Sequence, residues 1–267
     1  MQMTHLLCAE HLTLGYEHRI IARDLNVAIP SGKFSVIIGP NACGKSTLLR
    51  ALCRLLKPLA GDVLLDGTSI HRIATKALAR QLGLLPQQAI VPDNITVMEL
   101  VARGRYPHQT LLRQWSEADQ TAVTAAMAAT HVSELADCHV DTLSGGQRQR
   151  VWIAMVLAQQ TPLLLLDEPT TWLDIAHQIE LLDLFRELNQ QHDRTLVAVL
   201  HDLNQACRYA DHLIVMRAGT VMAQGAPADI MTPELVQAVF GMASIIIDDP
   251  VSHTPLIVPC GRYHPAP

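Results

Sequence analysis

Apolar positions along the chain fall into two rhythms. Near the N-terminus they form short runs, Leu12–Tyr16, Leu25–Ile29 and Phe34–Ile38, divided by turn signals such as Pro30-Ser31-Gly32, and they read as strands. A Gly-rich turn over Gly39–Gly44 follows and opens a helix from Lys45 to about Leu56, where Lys57-Pro58 would end it. Gly61–Gly67 reads as a further strand, Thr75–Gln81 as helical, and Leu82–Leu85 as a strand entering Pro86-Gln87-Gln88. From Ile95 to His131 the pattern turns helical, with Ala118–Ala129 rich in strong helix formers and Ser116 as an N-cap facing Asp119 three residues on. A helix from Ser144 to about Gln159 leads to the continuous apolar run Leu163–Leu166. An amphipathic helix over Leu173–Gln191 leads to a second such run, Thr195–Leu200. Continuous apolar strands alternating with helices predict a parallel sheet covered on both faces. The tail, 211–267, reads as a hairpin (Leu213–Met216, Val221–Gln224), a helix Pro233–Phe240, and short strands Ile245–Ile247 and Leu256–Val258. The expected fold class is α/β, interrupted by a helical insertion.

Composition narrows the classes. The 267 residues are 49% hydrophobic and 17% charged, which excludes a disordered chain, and the net charge of −5 argues against a nucleic-acid partner. Mean hydropathy is +0.19, yet no apolar run nears the ~20 residues that span a bilayer; Val151–Ala158 and Pro162–Leu166 are the longest. Residues 1–16 lack the basic stretch of a signal peptide, so a cytoplasmic chain with six reduced, mostly buried cysteines is expected.

Three strings carry chemistry. Gly39-Pro40-Asn41-Ala42-Cys43-Gly44-Lys45-Ser46-Thr47 fits G-x-x-x-x-G-K-[ST] between a strand and a helix. Such a loop curls its N–H groups toward phosphate oxygens. Lys45 would neutralise the β- and γ-phosphates and the Ser46 hydroxyl would hold Mg²⁺. The string alone arises by chance in roughly one chain of this length in a hundred, so its strand–turn–helix setting makes the assignment. Ala42 stands where many such loops have glycine; little harm is expected, because nothing in the string demands a positive φ there. Cys43 sits inside the loop, so a bulky maleimide is expected to block nucleotide binding. Leu163–Leu166 ends in Asp167-Glu168-Pro169: Asp167 can hold Mg²⁺, and Glu168 is the natural general base for an attacking water. Leu143-Ser144-Gly145-Gly146-Gln147 opens a helix and supplies a second anion site.

In this order the three strings resemble the ATP-binding subunits of ABC transporters, over nearly the whole chain. The resemblance implies a P-loop NTPase core, with an antiparallel β subdomain and an inserted helical subdomain. Its expected divisions are 1–87, 88–158, 159–240 and a tail 241–267. It implies a homodimer in which Ser144, Gly145, Gly146 and Gln147 complete the ATP site of the opposite subunit. Tyr16 resembles the aromatic that stacks on adenine, Gln87 the residue reaching Mg²⁺ and the attacking water, Asp174 the dimer-communication aspartate, and His201 the γ-phosphate sensor. Gly104-Arg105-Tyr106-Pro107-His108, the segment from Thr170 to Ile179, His201–Tyr209 and Ile247–Val251 further resemble ATPases of iron-siderophore importers, ferric enterobactin import above all. The implied function is ATP hydrolysis with Mg²⁺ on the cytoplasmic face of a bacterial inner membrane, driving a separate permease fed by a periplasmic siderophore-binding protein. Haem or cobalamin uptake, or a soluble ABC ATPase acting on ribosomes or DNA, are the alternatives. The segment Gln88–Tyr106, with Val97, Met98 and Val101, is expected to line a groove for a permease helix.

Overall fold

Strands with one wet face should alternate buried and exposed residues, and strands covered on both faces should not. Both kinds occur in the computed structural model, which describes residues 5–16, 19–87, 94–110, 115–171, 173–261 and 263. The chain divides into two compact units, residues 1–72 with 189–267, and residues 73–188.

In the first unit, His5–Tyr16 pairs antiparallel with Arg19–Pro30 on one side and Ala60–Leu65 on the other, and Ala60–Leu65 pairs with Thr68–Ser69. Along Arg19–Pro30 burial alternates from Leu25 through Val27 to Ile29, the mark of a sheet with one solvated face. A second group of strands is parallel. Phe34–Ile38 lies between Thr195–Val199 and His212–Arg217, in registers Ile37↔Val199 and Ile37↔Ile214, and Thr220–Gly225 adds an antiparallel edge. Every residue of Phe34–Ile38 and of Thr195–Val199 is buried, as their unbroken apolar runs require. The helix Lys45–Leu52 is shorter than its pattern suggests. Arg54 takes a left-handed φ of 63°, and Leu55 N–H donates to Arg50 O at 2.8 Å while Arg54 N–H donates to Ala51 O at 3.0 Å. This is a Schellman stop with arginine in the usual glycine position, which the apolar residues Leu55 and Leu56 disguise. At the tail, Ser244–Asp248 and Pro255–Pro259 pair as an antiparallel hairpin.

In the second unit, Leu82–Leu85 and Leu163–Asp167 pair in parallel, Leu85 opposite Leu166. The expected helical stretch 95–131 is interrupted: Val97–Ala102 passes into a 3-10 turn, Arg103–His108, and helix resumes at Glu117–Ala129. Pro107 has no N–H to continue the ladder. Capping boxes start three helices, with Thr96 and Glu99, Ser116 and Asp119, and Ser144 and Gln147. Gly104 packs so closely on the helix Gly145–Ala158 that a Cβ there would lie 2.1 Å from Met155 O. Beside it Arg105 and Asp119, each 5% exposed, form an ion pair at 2.8 Å. Arg105 Nη1 also donates to Ala158 O at 2.7 Å and Gln160 Oε1 at 3.0 Å. The fold class is thus the expected α/β, with parallel strands, helices and an antiparallel sheet. Among the described residues no helix is long and apolar enough to cross a membrane.

Candidate functional site

The strand Phe34–Ile38 delivers the chain to Gly39, where a Cβ would come within 2.2 Å of Met216 O and 2.8 Å of Cys43 Sγ. Only glycine permits that approach. Gly44, at φ 107°, caps the helix Lys45–Leu52, so the first turn of that helix, with its N–H groups directed along the axis, follows the loop directly. The loop's far side is tied by Gly219 N–H, which donates to Cys43 O at 3.0 Å. Lys45 is 5% exposed, and its Nζ donates to Gly39 O at 2.8 Å and Pro40 O at 3.0 Å. The ammonium is thereby folded over the loop's own carbonyls. Ser46 and Thr47 are half-buried, while Asn41 and Ala42 are exposed.

Two expectations about this loop are overturned. Ala42 has φ 61°, so the position does take the left-handed conformation that favours glycine. Cys43 is buried, 4% exposed, with Sγ turned toward Gly39. Burial pushes its thiol up, against a smaller opposing pull from Lys45, which makes it a poor maleimide target. The other cysteines are also free thiols; Cys53 and Cys207 are buried, whereas Cys138 is exposed.

Tyr16 ends its strand at 41% exposure, a surface ring whose hydroxyl accepts from Arg50 Nη1 at 3.4 Å. His201 follows the strand Thr195–Val199 and is exposed. Because that strand runs parallel to Phe34–Ile38 with Val199 opposite Ile37, His201 and Gly39 leave the same end of adjacent strands. Asp202 then caps the helix Leu203–Tyr209 by accepting from Gln205 N–H at 2.8 Å.

The same logic operates in the second unit. Leu85 and Leu166 are paired in parallel, so Gln87 and the carboxylates of Asp167 and Glu168 emerge at one end of their strands. Asp167 is 4% exposed. Gln87 Nε2 donates to Glu168 Oε2 at 2.7 Å, and Thr171 Oγ1 donates to the same oxygen at 3.4 Å. Glu168 sits at a left-handed φ of 53°, which turns the chain sharply after the buried strand. Sequence reasoning missed Gln149, whose Nε2 donates to Pro169 O at 3.1 Å and so ties the helix Gly145–Ala158 to that turn. Its place two residues beyond Ser144–Gln147, on the same helix, was the available signal.

Ser144 Oγ accepts from Gln147 N–H at 3.3 Å, and Gln147 Oε1 accepts from Ser144 N–H at 3.0 Å. Gly145 is exposed, and nothing lies within 4 Å of where its Cβ would be. A Cβ on Gly146 would touch only Leu173. The helix start therefore presents bare backbone. Asp174 Oδ1 accepts from His177 N–H at 3.0 Å and pairs with His177 Nδ1 at 2.7 Å. Trp172 and 88–93 lie outside the described residues. The expected permease groove is not supported at two of its three positions: Val97 and Val101 are fully buried, and Met98 alone is half-exposed. Their helix presents Val97, Leu100 and Val101 inward, a single apolar face.

Comparison with known proteins gives a consistent result. The sequence profile of the ABC transporter family matches residues 22–171. The chain is 61% identical to the ferric enterobactin transport ATP-binding protein FepC of Escherichia coli (strain K12), covering 97% of this chain and 96% of that one. It is 56% identical to the achromobactin transport ATP-binding protein CbrD of Dickeya dadantii (strain 3937), over 97% and 96%. Among solved structures, a metal-chelate type ABC transporter captured inward-facing aligns with TM-score 0.83 and 27% identity, over 97% of this chain and 99% of that one. The dimeric bacterial ABC cassette MJ0796 aligns with TM-score 0.74 and 27% identity, over 82% and 98%.

Proposed function

Because the chain belongs to the ABC transporter family, we propose that it is the ATP-hydrolysing subunit of an importer for a ferric siderophore, ferric enterobactin. Its similarity along almost its whole length to a ferric enterobactin transport ATP-binding protein carries this reading. The absence of a membrane-crossing helix among the described residues suits a subunit that binds a separate permease at the cytoplasmic face of the inner membrane, the permease being served by a periplasmic siderophore-binding protein.

The residues act as follows. Within Gly39–Thr47 the residues other than Pro40, which has no N–H, hold the phosphates with backbone N–H groups, and Lys45 exchanges its contacts with Gly39 O and Pro40 O for phosphate oxygens. The exposed ring of Tyr16 stacks on adenine, worth about 1–3 kcal/mol. Glu168 takes the proton of the attacking water at Oε2, the oxygen that Gln87 holds. His201 donates a hydrogen bond to the γ-phosphate. Ser144, Gly145, Gly146 and Gln147 present their bare helix start to ATP held by a second copy, and Asp174 communicates between the copies; the related cassette MJ0796 is described as a dimer.

The donors for a metal fit Mg²⁺. Ser46, Gln87 and Asp167 offer a hydroxyl, an amide carbonyl and a carboxylate, all hard oxygen ligands, and Asp167 is a buried carboxylate. When bound, Mg²⁺ offsets charge on the β- and γ-phosphates.

The test is reconstitution with the permease in membranes, measuring ATP turnover as binding proteins loaded with ferric enterobactin, haem or cobalamin are added. Stimulation by ferric enterobactin is expected. Stimulation by haem or cobalamin alone would replace the substrate, and co-purification with ribosomes or DNA in place of a membrane protein would overturn the importer.

A further inference from the structure

The hairpin near the C-terminus, Ser244–Asp248 with Pro255–Pro259, has no part in the scheme above. It nevertheless grips the helix that begins two residues after His201. That helix, Leu203–Tyr209, joins Thr195–Val199 to His212–Arg217 and packs on Phe34–Ile38 through one face, burying Ala206 and Cys207. Asn204 and Arg208 lie four residues apart and so share a face of the helix. Both reach the hairpin. The Asn204 amide behaves as a short strand: Nδ2 donates to Ile257 O at 3.2 Å and Oδ1 accepts from Ile257 N–H at 2.7 Å. Arg208 Nη2 donates to Asp249 Oδ2 at 2.6 Å.

Asp249 is itself held from several sides. It is 4% exposed, and its Oδ1 accepts from Val251 N–H at 2.8 Å and Ser252 N–H at 3.2 Å. Its backbone N–H donates to Thr254 O and its backbone oxygen accepts from His253 N–H, both at 2.9 Å. The Arg208 guanidinium, with these backbone donors, holds the Asp249 carboxyl far below the usual carboxylate range. The turn is thus preorganised around one charged oxygen pair and presents it to Arg208.

We infer that the hairpin is a positioning clamp for His201: through Asn204 and the Arg208–Asp249 pair it fixes the helix that Asp202 caps, and so the direction in which His201 projects from its strand. The geometry leaves His201 little independence. It lies between Leu200, whose N–H donates to Ile37 O at 3.3 Å, and Asp202, whose side chain is committed to Gln205 N–H. A helix released from the hairpin could pivot about that short link while the strand stays in register. Asn204, Arg208 and Asp249 are positioning residues in this account, because their side chains are engaged with Ile257 and with each other and act on the site through the helix. The inference rests on the γ-phosphate role proposed for His201.

The experiment measures ATP turnover of the full-length subunit carrying Asn204→Ala or Asp249→Asn, each alone and combined with His201→Ala, with thermal melts alongside. Asp249→Asn keeps the side chain's shape and serves should Asn204→Ala fail to fold. Misplacing a catalytic contact by about 1 Å costs up to roughly 10²-fold, so each variant is expected to lower kcat about tenfold or more, with the KM for ATP unchanged. In the His201→Ala background neither substitution should lower kcat further. Wild-type kcat in folded single variants would overturn the clamp. So would an equal fall in both backgrounds, which would place the hairpin's action elsewhere. If His201→Ala alone leaves turnover intact, the role of His201 falls first and the clamp with it, a result distinct from the other two.

Discussion

Replacing Glu168 with glutamine isolates the charge of one carboxylate from its shape. Glu168 Oε2 accepts from Gln87 Nε2 at 2.7 Å and from Thr171 Oγ1 at 3.4 Å, and a glutamine carbonyl accepts both from the same place. No volume is lost, and the left-handed backbone at φ 53° strains the two side chains alike. The hydrogen bond from Gln87 changes from charge-assisted to neutral, a difference of about 1 kcal/mol. For a chain of this size that amounts to a shift of about 2–4 °C in Tm. The loss in turnover is of another order. A positioned general base contributes about 10²–10⁴ in rate, which is about 2.7–5.5 kcal/mol of barrier. The variant is therefore expected to fold, to bind ATP and to turn over at least a hundredfold more slowly. Steady-state phosphate release, a thermal melt and size-exclusion chromatography in Mg-ATP read the three properties separately. The chromatogram should show a nucleotide-bound dimer accumulating, because hydrolysis no longer clears the site. Turnover within a few-fold of the parent at equal Tm would refute Glu168 as the base. A fall of 10 °C or more would show that its carboxylate is structural.

Gly104→Ala is expected to destabilise the protein by several kcal/mol, since its Cβ would stand 2.1 Å from Met155 O and backbone would have to move; chemical denaturation checks this, and an unchanged midpoint would refute the packing. Asp119→Ala removes one partner of a buried ion pair and leaves Arg105 charged, a loss of about 3–5 kcal/mol in the same assay. Burial raises the Asp119 carboxyl, but hydrogen bonds from Ser116 and Arg105 outweigh it and hold the value below normal. Its contribution is thus complete above the ordinary carboxylate pKa near 4 and is lost as pH falls through the lowered folded value; the wild type should lose more Tm than Asp119→Ala between pH 5 and pH 2. Cys43, buried and with its thiol pushed up, should resist maleimide in the folded protein with or without Mg-ATP; rapid labelling there, located by mass spectrometry, would contradict its placement.

Local chemistry was legible in the chain itself. A phosphate-binding loop needs glycines, a lysine and a hydroxyl at fixed offsets, so Gly39–Thr47 can be proposed as one without any partner. The same holds for the paired carboxylates Asp167 and Glu168 at the end of an unbroken apolar run, and for the cap Ser144 before two glycines. The parallel strands were visible because burial on both faces demands continuous apolar residues, as in Phe34–Ile38 and Thr195–Val199. What depended on tertiary structure was direction. Whether Cys43 turns inward, or Val97 and Val101 face a core or a groove, is decided by neighbours distant in sequence, Gly39 being packed against Met216 and Gly104 against Met155. The left-handed φ of Ala42 and the arginine in the Schellman stop at Arg54 were equally hidden, because residue type only biases backbone conformation and the surrounding packing can override it. The clamp on the helix after His201 joins Asn204 to Ile257 and Arg208 to Asp249, hydrogen bonds between residues more than forty positions apart, and no periodicity in either segment announces them. A sequence records which groups a chain possesses; only its folded path sets the distances between them, and hydrogen bonds and ion pairs depend on those distances.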